Sequence, residues 1–181
     1  MPTWEDKPPL SLERFPNRHM IPLFKEANVT WFRYFLWVEP LAVLNGGGNR
    51  DPDATEHFLP PDAEDAMLGA AAHDALRQSR WIGLDHPDFW RVIHGTWSDE
   101  EFYGPLLDRA GVKTKRTLYK GARHVSMLLR DGIITLSAND YDGPGAWEGI
   151  KGREMITVPQ DIGDAELGAV IRKALDMSRP G

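Results

Sequence analysis

The side chains that could carry acid–base, nucleophilic or metal chemistry are thinly spread in this chain. Its six histidines are His19, His57, His73, His86, His94 and His124. None falls in a spacing such as H-E-x-x-H, which would set two imidazoles on one helix face for a zinc ion. A hydrolase using His86 or His94 with an aspartate, Asp88 being the nearest, is the enzymatic alternative, because a carboxylate can orient an imidazole as general base. No G-x-S-x-G elbow offers an acyl-transfer serine. The absence of cysteine excludes disulfides, thiolate catalysis and cysteine-bound zinc. Gly46-Gly47-Gly48 lacks the Lys-Ser/Thr ending of a phosphate loop. Asp51-x-Asp53-x-x-Glu56 opens like a calcium loop but is missing the turn glycine and the distal glutamate. The expectation is a protein with no catalytic residue, no metal and no cofactor.

Charge is more informative. The net charge is −6, and residues 51–111 hold thirteen acids against four bases. A one-signed surface of this kind steers cationic partners toward it and repels nucleic acid. Asp62, Glu64 and Asp65 have a local reason to be there, since a helix N-terminus favours anions. The acids in loops and at a helix start, Asp51, Asp53, Glu56, Asp85, Asp88, Asp99 and Glu100, are the candidate contacts for a partner. Trp81, Phe89 and Trp90 are candidate aromatic anchors beside them. Basic residues concentrate in Lys113-Thr114-Lys115-Arg116 with Lys120, Arg123 and Tyr119. A nucleic-acid-binding module on that segment is a second alternative, opposed by the overall charge.

Positioning these residues calls for a core, and seven Trp, seven Phe and four Tyr supply it. At 181 residues the chain is expected to form one domain, 1–181, with 1–28 as an irregular lead-in holding five of the fourteen prolines. Thr30–Val38 reads as an aromatic strand or a short buried helix, and Asn45–Asp53 as a loop. A first helix starts near Asp62, with Leu68, Ala71, Ala72, Ala75 and Leu76 in one stripe. Ser98-Asp99-Glu100-Glu101 is a capping box for a second helix, ending at Gly111 and interrupted by Pro105. Lys113–Lys120, Arg123–Arg130 and Ile133–Ala138 read as three strands, the last two joined by the hairpin signal Asp131-Gly132. A loop at Asp142–Gly152 precedes a fourth strand, Glu154–Val158. The closing helix, Asp164–Met177, repeats the stripe of the first, and no other repeat is apparent. The fold class is therefore α+β, a mainly antiparallel sheet with a C-terminal meander flanked by about three helices. The most apolar stretch, Val29–Leu44, is interrupted by Arg33, Glu39 and Pro40, so no membrane span is expected. The N-terminus carries acids and prolines where a secretory signal needs a basic start, which points to the cytoplasm.

The segment Lys113–Gly121, followed by Asp131-Gly132-Ile133-Ile134-Thr135-Leu136, resembles the contact-dependent growth inhibition immunity proteins of bacteria. Gly143-Pro144-Gly145-Ala146-Trp147, Ala165–Ala169 and the first helix around Leu68-Gly69-Ala70-Ala71 and Leu76–Arg80 are similar to the same family. The resemblance runs from about Phe58 to Met177. It implies a cytoplasmic inhibitor, not an enzyme, whose partner is the C-terminal toxin domain of a large exoprotein, many such toxins being nucleases. It implies no catalytic residue. A nuclease cleft is basic because it holds a polyanion, so a carboxylate-rich surface is a suitable competitor for it.

Overall fold

The computed structural model describes residues 24–44, 47–83, 86–93 and 98–181. Chain order is β1 (Lys25–Trp31), β2 (Leu36–Leu44), β3 (Gly47–Arg50), β4 (His57–Leu59), α1 (Asp65–Gln78), β5 (Arg80–Trp81), α2 (Phe89–Ile93), α3 (Asp99–Ala110), α4 (Lys115–Tyr119), β6 (Arg123–Arg130), β7 (Ile133–Gly143), β8 (Ala146–Gly149), β9 (Ile156–Pro159) and α5 (Asp164–Met177). The strands make one sheet in the order β3-β2-β1-β6-β7-β8, with β4 and β5 on β2 and β9 on β7. Every pairing is antiparallel except β2 with β5. The protein is thus α+β and dominated by its sheet.

Strand alternation decides what each face of the sheet meets. Ala27, Val29, Leu36, Val38, Val125, Met127, Ile134 and Leu136 point to one face and are buried. There they pack against the stripes of α1 and α5, including Leu68, Ala72, Leu76, Leu167, Ile171 and Leu175. The opposite face is covered at one end by α3 and α4, through an aromatic cluster of Phe32, Phe35, Trp37, Leu106, Leu118 and Tyr119.

The similarity between the two long helices is the visible part of a larger repeat. Asp65-Ala-Met-Leu-Gly-Ala-Ala-Ala-His-Asp-Ala-Leu-Arg-Gln-Ser-Arg80 and Asp164-Ala-Glu-Leu-Gly-Ala-Val-Ile-Arg-Lys-Ala-Leu-Asp-Met-Ser-Arg179 agree at nine of sixteen positions. The strands repeat as well: β1-β2-β3-β4-α1 recurs as β6-β7-β8-β9-α5. Glu26 faces Leu41 across the first hairpin, as His124 faces Asn139 across the second. β2 carries β3 and β4 along its length, as β7 carries β8 and β9. After each helix a serine ties its own hairpin together. Ser79 Oγ donates to the Leu41 carbonyl and accepts from Glu26 N at 2.8 and 2.9 Å. Ser178 Oγ donates to the Asn139 carbonyl and accepts from His124 N at 2.5 and 3.1 Å. The halves meet at the antiparallel seam of β1 with β6, where Asn28 lies opposite Ser126 near its centre. On the helical face they meet where α1 and α5 cross. A Cβ on Gly69 would lie 1.8 Å from the Asp164 carbonyl oxygen, and one on Gly168 would lie 1.9 Å from that of Asp65. Only glycine permits this reciprocal approach.

Several sequence expectations need correcting. Lys25–Asn28 opens β1 and is no part of a lead-in, while residues 1–23 lie outside the described residues. Thr30–Val38 is two strands, because the chain reverses at Phe32–Phe35, where Phe32 N bonds to the Phe35 carbonyl at 2.9 Å. The glycine run contributes the edge strand β3, and the loop at Asp142–Gly152 contains β8. The first helix begins three residues later than expected, at Asp65, with no side-chain cap. Lys113–Lys120 is not a strand: Thr114 accepts from Thr117 N and caps the short helix α4. A Ser or Thr with a free hydroxyl three residues before the receiving amide outweighs strand propensity here. The helices number five among the described residues, two of them only five residues long. The α3 capping box and the left-handed Gly111 match expectation, and Pro105 does not end the helix. The Asp131-Gly132 turn has both residues at positive φ, 51° and 79°, as a two-residue hairpin requires. The closing helix has the expected bounds.

Candidate functional site

Beyond the aromatic cluster, the non-helical face of the sheet is open. Polar side chains that alternate with the core residues floor a cleft of about 550 Å³. Glu26 and Asn28 come from β1, His124 and Ser126 from β6, and Thr135, Ser137 and Asn139 from β7. The seam between the halves therefore runs along its floor. Gly47 and Gly48 of β3 form one wall, while Gly145, Trp147 and Met155 form the other. Met155 is 59% exposed and Ile150, on the adjoining hollow, 38%. The arrangement is a polar floor with an apolar rim.

Hydrogen bonds hold the floor in place. Asn139 Nδ2 donates to His124 Nδ1 at 2.9 Å and to Ser126 Oγ at 2.8 Å. The His124 ring stacks on Trp147, with centroids 4.9 Å apart and planes 16° from parallel. Burial pushes the His124 pKa down to about 3, so the imidazole is neutral and its Nδ1 is free to accept. Glu39, buried beneath the aromatic end, is pushed up to about 8 by burial and then by the Glu56 carboxylate. Arg50 and a hydrogen bond from Asn28 oppose that rise without cancelling it. Both groups are uncharged near neutral pH, His124 as part of the floor and Glu39 beneath the aromatic end beside it. The sequence signal for this face was the alternation on β6, where His124 and Ser126 alternate with Val125 and Met127.

The acids singled out from the sequence are placed mostly in ion pairs. Asp51 is buried and receives a two-pronged contact from Arg80, at 2.6 and 2.9 Å. Arg80 also bonds Asp53 at 2.9 Å and Asp88 at 3.1 Å, and these contacts keep its guanidinium charged. Arg91 adds contacts to Asp53 and Asp88. Hydrogen bonds from Arg91, first, and Arg80 hold the Asp53 carboxyl below its ordinary range. Glu56 pairs with Arg50 at 2.5 Å. Asp99 pairs with Lys115 at 2.7 Å and is 80% exposed, and Glu100 is exposed on the first turn of α3. Asp85 lies outside the described residues. The loop bearing Asp51, Asp53 and Glu56 follows directly from the β3 wall. On the other side, Lys115 sits 4.3 Å over the Tyr103 ring, whose hydroxyl donates to the Pro144 carbonyl next to Gly145 of the opposite wall. None of the described acids singled out from the sequence lines the sheet cleft itself; Asp51 and Glu56 border a separate hollow with Arg50 and Phe58. Of the aromatic candidates, Phe89 is buried, while Trp81 and Trp90 are half-buried, Trp90 packing on the small core of Ala42, Leu44, Ile82 and Phe89.

The groups behind the two alternatives are not drawn together among the described residues. His86 Nδ1 accepts from the Asp88 amide at 3.1 Å and lies 3.8 Å from its carboxylate, which is not the oriented pair a general base needs; His94 lies outside the described residues. The basic segment is divided, with Lys115 bound to Asp99 while Lys120 and Arg123 face away into a separate hollow. No group of three or more His, Asp or Glu among the described residues is arranged to hold a metal ion. No helix among them is long and apolar enough to cross a membrane.

The architecture is a curled antiparallel sheet, backed by two crossed helices and open on its other face. The model of the CDI immunity protein family matches residues 25–178, and the chain belongs to that family. It is 29% identical over 141 residues to the immunity protein CdiI-YPIII of Yersinia pseudotuberculosis serotype O:3 (strain YPIII), an alignment covering 69% of this chain and 79% of that one. Its fold is similar to a chain of a CdiA-CT/CdiI toxin and immunity complex from Yersinia pseudotuberculosis, with a TM-score of 0.74 and 26% identity over 87% of this chain and 98% of the other. A protein of unknown function from Neisseria meningitidis shares the fold, with a TM-score of 0.76 and 23% identity over 87% and 96% of the two chains.

Proposed function

We propose that the protein binds and neutralises the C-terminal toxin domain of a contact-dependent growth inhibition exoprotein, acting in the cytoplasm by occupancy and not by catalysis. The observation that carries this reading is the likeness to a chain of a toxin and immunity complex over nearly the whole of that chain. The toxin is a nuclease in this reading, because the acids of residues 51–111 suit a basic cleft. It docks across the mouth of the sheet cleft, meeting Asp53, Glu56 and Asp88 on one side and Asp99 and Glu100 on the other. Asp85 belongs to the same acidic segment. Asp51 contributes from beneath, by fixing Arg80 and through it the carboxylates above. Met155 and Ile150 supply apolar contact at the rim.

The test is co-purification with the cognate toxin domain and a nuclease assay with and without this protein. A one-to-one complex that abolishes cleavage is expected. Reversing Asp53, Asp99 and Glu100 together should slow association and remove most of its salt dependence, while Ser137→Trp should fill the cleft and weaken the complex with no change in that dependence. A toxin that stays active in the presence of the folded protein would overturn the reading.

A further inference from the structure

A second cavity lies away from the sheet cleft, beside the C-terminal end of α5. It holds about 650 Å³ and is lined by Trp31, Arg33, Lys120, Gly121, Arg123, Arg172, Leu175, Asp176 and Pro180. Four cations therefore line it beside Asp176, with Asp65 of α1 reaching one of them, Arg172, in a protein whose net charge is −6. The volume falls within the range of small-molecule sites.

The cations differ in how they are committed. Arg172 Nε bonds Asp65 at 2.6 Å and its Nη2 donates to the Ala63 carbonyl, so this guanidinium is fixed by α1. Arg123 Nη1 bonds Asp176 at 2.5 Å, a carboxylate that is 78% exposed. Arg33 lies 5.8 Å over the Tyr34 ring, a contact that leaves its donors available. Lys120 is exposed and has no charged partner among the described residues. Trp31 is tethered by a 3.1 Å bond from its Nε1 to the Pro61 carbonyl, so it can offer only its ring surface. The Gly121 amide bonds the Gly181 carbonyl at 2.7 Å and keeps the wall carrying Lys120 beside Pro180.

We infer that this hollow binds a phosphate monoester on a compact organic body, the phosphate held by Arg33, Lys120 and Arg123 and the body resting on Trp31, Leu175 and Pro180. Asp176 and Asp65 answer two of the four positive charges, and a ligand with a single carboxylate would still leave one of the other two. A phosphate monoester carries close to two negative charges and three acceptor oxygens, enough to engage several cations at once. A basic nuclease is repelled by this surface, so the site is separate from toxin binding and does not rest on that reading.

The test uses the free, full-length protein at low ionic strength, titrated calorimetrically with adenosine monophosphate, inorganic phosphate and adenosine. Saturable binding is expected for the monophosphate, weaker binding for inorganic phosphate, and none for adenosine. Lys120→Glu and Arg33→Glu, both at exposed side chains, should each weaken the monophosphate roughly tenfold, the scale of one hydrogen bond to a charged group. Lys120→Arg should retain binding, and thermal unfolding midpoints should be unchanged in all three. Equal binding of adenosine and its monophosphate, no saturable binding of either phosphate probe, or full affinity in the charge-reversed variants would each overturn the inference.

Discussion

Glu39 and His124 both belong to the polar side of the sheet, and burial moves their pKa values in opposite directions. The consequences for stability are opposite too. Between about pH 4.5 and 8 the unfolded chain releases the Glu39 proton while the folded chain retains it, so stability declines as pH rises through that window. Between about pH 6.5 and 3 the unfolded chain protonates His124 while the folded chain does not, so stability declines as pH falls. Glu39→Gln keeps the shape and the hydrogen-bonding group but cannot ionise. The gap between its urea midpoint and the parent's should widen in its favour from about pH 5 to 8, His124 acting equally on both proteins, leaving the variant more stable at the alkaline end by on the order of a few kcal/mol. Parallel curves for the two proteins would show that Glu39 ionises freely in the fold. Neither role was readable from the sequence, since an isolated Glu among Trp37, Val38 and Pro40 does not say which face it takes.

At the scale of elements, the two helix stripes, the capping box, the Asp-Gly turn and β6 were legible because each depends on residues close in sequence. Phe32–Phe35 shows where that stops. An aromatic run looks continuous as a strand, and only its packing under Leu118 and Tyr119 explains why the chain turns there. The edge strands β3 and β8 were missed for a related reason: glycine-rich segments have little strand propensity, and a neighbouring long strand supplies the pairing that makes them regular. The ion-pair cluster of Asp51 and Asp53 showed in the sequence only as charge, because the arginines that organise it, Arg80 and Arg91, lie far along the chain. The crossing of α1 and α5 is where an element-scale prediction is sharpest. Gly69→Ala or Gly168→Ala must push the helices apart, at a cost of about 1–3 kcal/mol each. The double variant should cost clearly less than the two combined, because one methyl already opens the shared contact. Strict additivity in denaturant titrations would mean that the helices yield independently.

For the whole molecule, we regard residues 25–178 as one domain, because each half contributes one hairpin and one helix to a core that neither encloses alone. α1 packs on β1 and β2, α5 on β6 and β7, and the halves share the seam and the glycine crossing. Residues 82–122, which have no counterpart after α5, bring α3 and α4 over the aromatic end of the sheet. The repeat also accounts for the position of the cleft: with the helices of both halves on one side, the seam between them is left to face solvent on the other.

That seam has a consequence for how the chain can assemble. Its two edges are carried by different halves of the polypeptide, and nothing in the pairing of β1 with β6 requires both strands to come from one molecule. A linker too short to bring β6 back beside β1 would leave each half to close on the complementary half of a second molecule, giving an exchanged dimer with the same sheet, the same glycine crossing and two copies of the cleft. Shortening the connections on either side of α2, with α2 and α3 kept for the cores they close, should therefore convert the protein to a dimer on size-exclusion chromatography with light scattering, whereas a shortened chain that stays monomeric and folded would show that the halves find each other without that length of chain.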